Sequence, residues 1–432
     1  MNHQLYNIIL TCLLILSFPY LLLRSLVQER FRKRLFQRMG FLPRRSVKRL
    51  IWIHAASVGE VFCSIPLIKR IKQGFPQCEI VLTTVTHTGN EAAKASLPEA
   101  DEVLFFPVDH PLTIGRAIKR IKPSLLLIAE TELWPNLLRS CGKKGIPIIL
   151  FNGRISQKSF RRYLFFKSLF RECLQNIRLF LMQTEKDRER IIEIGAPQER
   201  TRVLGNLKFD QTFQPPTQET LSEMTQSIGL KGDETVLVAG STHSGEEEIL
   251  ITLFKDLRKN DPHLLLILAP RHLERLEEVE RILKKANISW IRRTLFSLNK
   301  DHWDGGRDGP PEVILLDTMG ELTRFYSLGT LAFIGGSLVP VGGHNPLEPL
   351  FFQKCTLFGP HMFNFLEITQ SLIEAGGAIQ VKGRKDLYLH LKRLLTDEGE
   401  RKRIGERGYQ FLQRHQGATE KTFEEIRHFI QS

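Results

Sequence analysis

The residues best suited to chemistry in this chain stand where short apolar runs end. IWIHAASVGE, residues 51–60, passes from an apolar stretch through His54, two alanines, a serine and a glycine to Glu60. The pattern predicts a buried strand, a tight turn and the opening of a helix. Open α/β sheets place ligands just beyond the carboxyl ends of their strands. A glutamate there, at a helix N-terminus, has three uses: general base, acceptor for a sugar or ribose hydroxyl, or first-turn partner of the helix dipole. A second acid, Glu130, ends the run SLLLIAE, and Glu132 follows two residues on. Two carboxylates in one cleft are pushed apart in pKa, so one can act as base while the other holds a partner or a proton. Arg271 offers a bidentate fork for phosphate, and Lys208 a point charge.

The densest signal is GGSLVPVGGHNPLEP, residues 335–349, where four glycines lie in nine residues before a helix expected from near Asn345. Glycine lets backbone approach a phosphate, and helix N-termini attract anions. Glu348 falls one turn into that helix, placed to accept ribose hydroxyls. The spacing is not that of a dinucleotide fingerprint, and no Walker lysine is present. Thr242-His243, Pro270-Arg271 and Met319-Gly320-Glu321 end further apolar runs in the same half, so several strand-end loops converge as at a nucleotide site. No D-x-D occurs anywhere. That argues against a metal-bridged diphosphate donor and for protein cations that stabilise the leaving group. No metal or cofactor is expected. The six cysteines show no CxxC spacing, which suggests neither a zinc site nor a disulfide framework.

The elements that must position these groups alternate strand and helix. From Leu50 the apolar runs IWIHAA, CEIVLTTVT, EVLFFPVD, SLLLIAE, IPIILFN, LFLMQT and TRVLGN are separated by amphipathic helices. A second series runs through ETVLVAG, LLLILAP, EVILLDT, TLAFIGG and CTLFGP, and helices close the chain from Lys385 to Gln431. This rhythm predicts two doubly wound parallel sheets. With 432 residues, 42% of them hydrophobic, the chain has length for two cores. The expected boundaries are 50–212 for the first, acceptor-side domain, 213–220 for a proline-containing linker, and 221–432 for the nucleotide-binding domain. Two Rossmann-like halves facing a central cleft, acceptor chemistry in the first and a nucleotide site in the second, describe a GT-B glycosyltransferase.

The N-terminus and the charge point to a membrane. Leu5 to Leu23 carries no charged residue, and at ~1.5 Å per residue it spans roughly 28 Å, close to a bilayer core. Residues 1–24 are expected to form an anchor helix, single-pass or part-inserted because Pro19 shortens it. MNHQ lacks the basic residues of a signal peptide. The juxtamembrane segment, 25–49, is basic; from Arg24 to Arg49 there are ten Lys or Arg against Glu29 alone. That charge places this side in the cytoplasm and against anionic head groups. Ser156 to Arg178 mixes basic and aromatic residues, as a helix on a membrane surface or an anionic amphiphile would, or as a core helix with solvated charges. A net charge of +14 implies acidic partners: nucleic acid, anionic lipid or a phosphorylated substrate.

IWIHAASVGE, AETELWPN, GNLKFD, APRH, DTMGEL, GGSLVPVGGHNPLEP and GPHMFNF occur in this order. Together they resemble the 3-deoxy-D-manno-octulosonic acid (Kdo) transferases of lipid A biosynthesis, glycosyltransferase family 30. The resemblance runs from the N-terminal segment to about Gln413, without departure inside the motifs. It implies an inverting, metal-independent GT-B enzyme of the bacterial inner membrane, with its catalytic domains on the cytoplasmic side. The implied donor is CMP-Kdo and the acceptor a phosphorylated lipid A precursor, with no part for nucleic acid. The family's base matches Glu60, and the groups that stabilise its transition state match Glu130 and Lys208. Its CMP site matches Pro270-Arg271, Met319-Gly320-Glu321 and Asn345-Pro346-Leu347-Glu348. Two other readings fit part of the pattern: a GT-B lipid glycosyltransferase using a UDP-sugar, and a non-enzymatic protein that binds anionic membranes.

Overall fold

The computed structural model describes residues 3–44, 49–210, 217–227, 234–296 and 311–431. It divides into two units, Met1–Thr212 with His415–Ser432, and Phe213–Arg414. In the first unit, β1 (Leu50–His54), β2 (Glu79–Thr84), β3 (Glu102–Phe105), β4 (Leu125–Ala129), β5 (Ile148–Gly153), β6 (Leu179–Met182) and β7 (Thr201–Val203) form one sheet ordered β3-β2-β1-β4-β5-β6-β7. Every pairing in it is parallel. Successive side chains on a strand face opposite sides. Trp52, Leu126 and Ile128 therefore join the core on one face, and Ile51, Ile53, Leu125 and Leu127 the core on the other. Burial on both faces is why these strands read as unbroken apolar runs.

The second unit repeats the plan. Its strands are β8 (Thr235–Thr242), β9 (Leu264–Pro270), β10 (Trp290–Arg292), β11 (Val313–Leu315), β12 (Leu331–Ile334), β13 (Cys355–Phe358) and β14 (Ile379–Gln380), ordered β10-β11-β9-β8-β12-β13-β14. The outer strands β10 and β14, of 3 and 2 residues, had no counterpart in the sequence reading. Both units reverse strand order once, between β1 and β4 and between β8 and β12. Those reversals open a crevice at the strands' carboxyl ends.

Three expectations change. The closing helices do not all belong to the second unit, because the last one, Ala418–Gln431, lies in the first. Its stripe of Phe423, Ile426 and Ile430 joins the core beneath β1. Asp210 accepts from the backbone of Gly417 at 2.6 Å, and Arg70 grips Glu420 with two bonds of 2.7 and 2.9 Å. Residues 213–216 of the expected linker lie outside the described residues, and Gln218–Ser227 is helical. Finally, a membrane span in the N-terminal helix, His3–Val27, is not supported: among the described residues no helix is long and apolar enough to cross a membrane. Polar residues interrupt its apolar run, and its first turns bind the protein itself. Tyr6 donates to Asp109 at 3.0 Å, Asn136 to Asn7 at 2.8 Å, and Thr11 lies 3.3 Å from His110.

Candidate active site

Glu60 and Glu130 follow β1 and β4, the two strands that flank the first unit's reversal. Glu60 sits in the first turn of the helix Val58–Gly74 and is 7% exposed. Its Oε2 accepts from the Ala56 backbone at 2.7 Å and its Oε1 from the Ser57 hydroxyl at 2.8 Å. Ser57 is the helix N-cap, so Glu60 does close the helix end as an ordinary capping acid would. Its environment sets it apart. Burial first, then the charges of Glu130 and Glu132, raise its carboxyl from 4.5 to about 8, against the pull of Ser57 and Ala56. A carboxylate that takes its proton near neutrality is a far stronger base than a solvated one.

Glu130 occupies a left-handed backbone conformation, φ 53°, that non-glycine residues rarely adopt. Strain of this kind, of order 1–3 kcal/mol, gathers at functional sites. Lys208, in the short turn Leu207–Asp210, lies 3.8 Å from Glu130. The three residues proposed for the reaction are thus tied by charge or contact in one unit. Glu132 is also raised, by burial and then by Glu130, while Arg162 draws it down. His54, fully buried, is a structural residue. It receives the Trp134 indole N–H at 3.1 Å on Nε2 and bonds the Thr83 carbonyl at 3.2 Å through Nδ1. Burial pushes it down to about 3, so it stays neutral and joins β1 to β2 and to the loop after Glu130.

In the second unit Pro270 ends β9, and the backbone of Arg271 donates to the Thr242 carbonyl of β8 at 3.0 Å. Asn345 and Pro346 precede the short helix Leu347–Phe351; the Asn345 side chain accepts from the Leu347 backbone at 3.1 Å. The Leu347 side chain is buried at 2% exposure. Glu348 accepts from Thr323 at 2.8 Å and lies 3.4 Å from the Asn345 amide; burial raises it, and Thr323, Asn345 and Arg271 oppose the rise. Met319 is 65% exposed, Gly320 turns the chain at φ 86°, and Glu321 pairs with Arg293 at 3.9 Å. Thr220, Glu223, Met224, Arg293, Glu321 and Arg324 line a cleft of about 270 Å³.

The glycine loop works differently from the sequence reading. The backbone N–H groups of Gly336, Ser337 and Leu338 donate to Glu246 at 2.6, 2.9 and 2.8 Å, and that of His243 does so at 3.0 Å. A buried carboxylate of the protein itself therefore occupies the amide nest that a phosphate was expected to fill. Gly335 is required by close approach, since a Cβ there would lie 2.3 Å from the Ser241 carbonyl. Glu247, also fully buried, takes Arg275 at 2.9 and 3.3 Å and Thr242 at 2.9 Å. Glu246 and Glu247, the first two of three consecutive acids at the start of the helix Glu246–Arg258, are internal ties, whereas Glu248 is exposed.

The family model described as 3-deoxy-D-manno-octulosonic-acid transferase (kdotransferase) matches residues 33–211. A 3-deoxy-D-manno-octulosonic acid transferase of Haemophilus influenzae is 36% identical over 98% of this chain and 98% of its own. The chain belongs to the Kdo transferase family. It is accordingly an enzyme, a Kdo glycosyltransferase. The transferase of Chlamydophila psittaci is 30% identical over 99% of this chain and 97% of its own. Among solved structures, UDP-GlcNAc 2-epimerase from Neisseria meningitidis aligns with a TM-score of 0.56 at 13% identity, over 88% of this chain and 99% of that one. A glycosyltransferase from Rickettsia africae aligns at 0.55 and 12% identity, over 89% of this chain and 99% of that one. These likenesses establish the fold, two parallel-sheet α/β domains of the GT-B kind.

Proposed function

We propose that the protein transfers Kdo from CMP-Kdo to a phosphorylated lipid A precursor of the lipid IVA type, in lipopolysaccharide synthesis, with inversion at the anomeric carbon. The observation that carries this is Glu60: a buried carboxyl at the reversal of a parallel sheet, raised to about 8 and flanked by Glu130. Glu60 removes the proton from an acceptor sugar hydroxyl as that oxygen attacks the anomeric carbon. CMP leaves from the opposite face in the same step. Lys208, held in place by Glu130, meets the negative charge that grows on the departing phosphate. Pro270-Arg271, Met319-Gly320-Glu321 and Asn345-Pro346-Leu347-Glu348 bind the CMP moiety.

The protein works at the cytoplasmic face of the inner membrane, attached to its surface. Supporting this, the N-terminal helix leaves Leu13, Ile15, Leu16, Tyr20, Leu23 and Leu26 exposed, and Leu112 and Phe165 of the same unit are 70% and 80% exposed. By sequence, Arg24–Arg49 and the helices Gln157–Phe165 and Lys167–Leu174 supply basic residues for anionic head groups. The test is incubation of the protein with CMP-Kdo and the lipid A precursor, with products weighed by mass spectrometry. Kdo addition that Lys208→Ala slows by ~10²-fold supports the reading. Transfer from a UDP-sugar in place of CMP-Kdo overturns it.

A further inference from the structure

Three histidines crowd the strand ends of the second unit, and the donor reading leaves them without a task. His243 follows β8 and His344 lies in the loop after β12, the strands that flank the reversal of that sheet. Their Nε2 atoms are 2.8 Å apart, and their rings stack at 7° with centroids 5.1 Å apart. His272, next to Arg271, meets the His243 ring edge-on at 5.4 Å. His243 and His344 are partly exposed and His272 is exposed, so solvent and ligand can reach the group. Such a close nitrogen pair needs one proton between its atoms: one ring donates and the other accepts.

The surroundings of the pair are cationic. Arg271 and His272 act on both rings from the end of β9, and Arg275 on His243 from the turn beyond; burial first, then these charges, hold both rings below their ordinary value, His344 at about 4. Glu247 and Glu278 are already engaged with Arg275. Glu246, the nearest acid by chain, is fully buried with its oxygens given to four backbone N–H groups, including that of His243. The amides that bind phosphate in many α/β proteins are therefore taken. Glu274 lies 3.4 Å from His272, and the buried Glu348 is drawn on by Arg271; the charges that act on the His243–His344 pair itself are cationic.

We propose that His243 and His344, with Arg271, form the receptor for the phosphoryl group of the donor nucleotide, and that the ring pair takes up a proton from solvent as that group docks. An anion in contact with the pair opposes the neighbouring positive charges that, after burial, keep it neutral, and one imidazolium can then donate to a phosphate oxygen while its partner ring holds it in place. This rests on the donor reading above and goes beyond it by naming the groups that hold the phosphate. Glu246 is the positioning residue, since it fixes the backbone of His243 against the loop that leads to His344.

The experiment uses the full chain and the methyl phosphodiester of cytidine 5′-phosphate, which carries one negative charge at every pH used. Calorimetry in two buffers of different ionisation enthalpy reads the protons exchanged on binding. Uptake approaching about one proton per diester is expected for the wild type near pH 7, and none for uncharged cytidine. His344→Gln and His243→Gln should abolish the uptake and weaken the diester by ~10-fold at pH 6, with cytidine affinity unchanged. Absent uptake in the wild type, or uptake that survives both variants, overturns the proposal. So does an equal loss of cytidine binding, which would mark a structural role. Uptake with the free sugar acid and not with the diester would assign the pair to a carboxylate instead. A wild type that prefers the uridine diester, with the same histidine-dependent uptake, removes the CMP reading and leaves this one standing. Binding of neither diester overturns both.

Discussion

Glu60→Gln should slow turnover by at least ~10²-fold and also stabilise the folded protein, and the second effect has a sign and a pH window that follow from the structure. The carboxyl stands at about 8 in the folded state against 4.5 in an open chain, raised chiefly by burial. Only 7% of the residue is exposed, so solvent screens little of this. Below about 4.5 it is neutral in both states and shifts no equilibrium. Between there and about 8 the folded state holds a proton that the unfolded state has lost, so folding is disfavoured more with each step in pH. Above about 8 the loss is complete. At about 1.4 kcal/mol per pH unit the whole interval reaches about 5 kcal/mol as an upper bound. Glutamine keeps the volume, can accept from the Ala56 backbone and donate to the Ser57 hydroxyl, and carries no charge to bury. We expect the variant to gain about 2 kcal/mol at pH 8.5 and almost nothing at pH 5. Paired denaturation curves at the two pH values, with turnover measured on the same samples, read both effects. A variant no more stable than wild type at pH 8.5, or one with an equal gain at pH 5, would refute the buried, proton-holding carboxyl.

Glu130→Gln removes the like charge that helps raise Glu60, so the rise of kcat/KM with pH should move to lower pH by ~1 unit; an unmoved profile would separate the two residues. Glu246→Ala leaves four backbone N–H groups without their acceptor and should destabilise the second unit by about 3 kcal/mol or more, read by denaturation; a loss below about 1 kcal/mol would mean that water replaces the carboxylate without difficulty. Tyr6→Phe removes a bond to the buried Asp109, whose carboxyl burial raises to about 7. It should loosen the first turns of the N-terminal helix by about 1 kcal/mol, seen as faster amide exchange at Asn7–Thr11 with turnover in detergent retained. Unchanged exchange there would show that apolar packing alone seats the helix.

Much of this was legible in the sequence because both sheets are parallel and buried on two faces. Such strands are continuous apolar runs, so their ends, and with them Glu60, Glu130 and Arg271, could be located by eye. What escaped depends on long-range contact. The edge strands β10 and β14 are too short to show a period. The return of Ala418–Gln431 to the first unit is set by Asp210, Arg70 and the core beneath β1, none of which is near it in sequence. The glycine loop carried the signature of an anion site, and the structure fills it with an anion of its own, Glu246. Sequence pattern reports the shape of such a nest, and only the fold tells what occupies it. The N-terminal run had the length of a span, yet its Tyr6, Asn7 and Thr11 meet Asp109, Asn136 and His110 of the first unit.

The central claim is that Glu60 is the base of a Kdo transfer from CMP-Kdo. The most direct test compares wild type and Glu60→Gln for donor binding and for single-turnover transfer to the lipid A precursor. Donor affinity should stay within about twofold of wild type and transfer should slow by at least ~10²-fold. Transfer at a near-normal rate in the variant would contradict it.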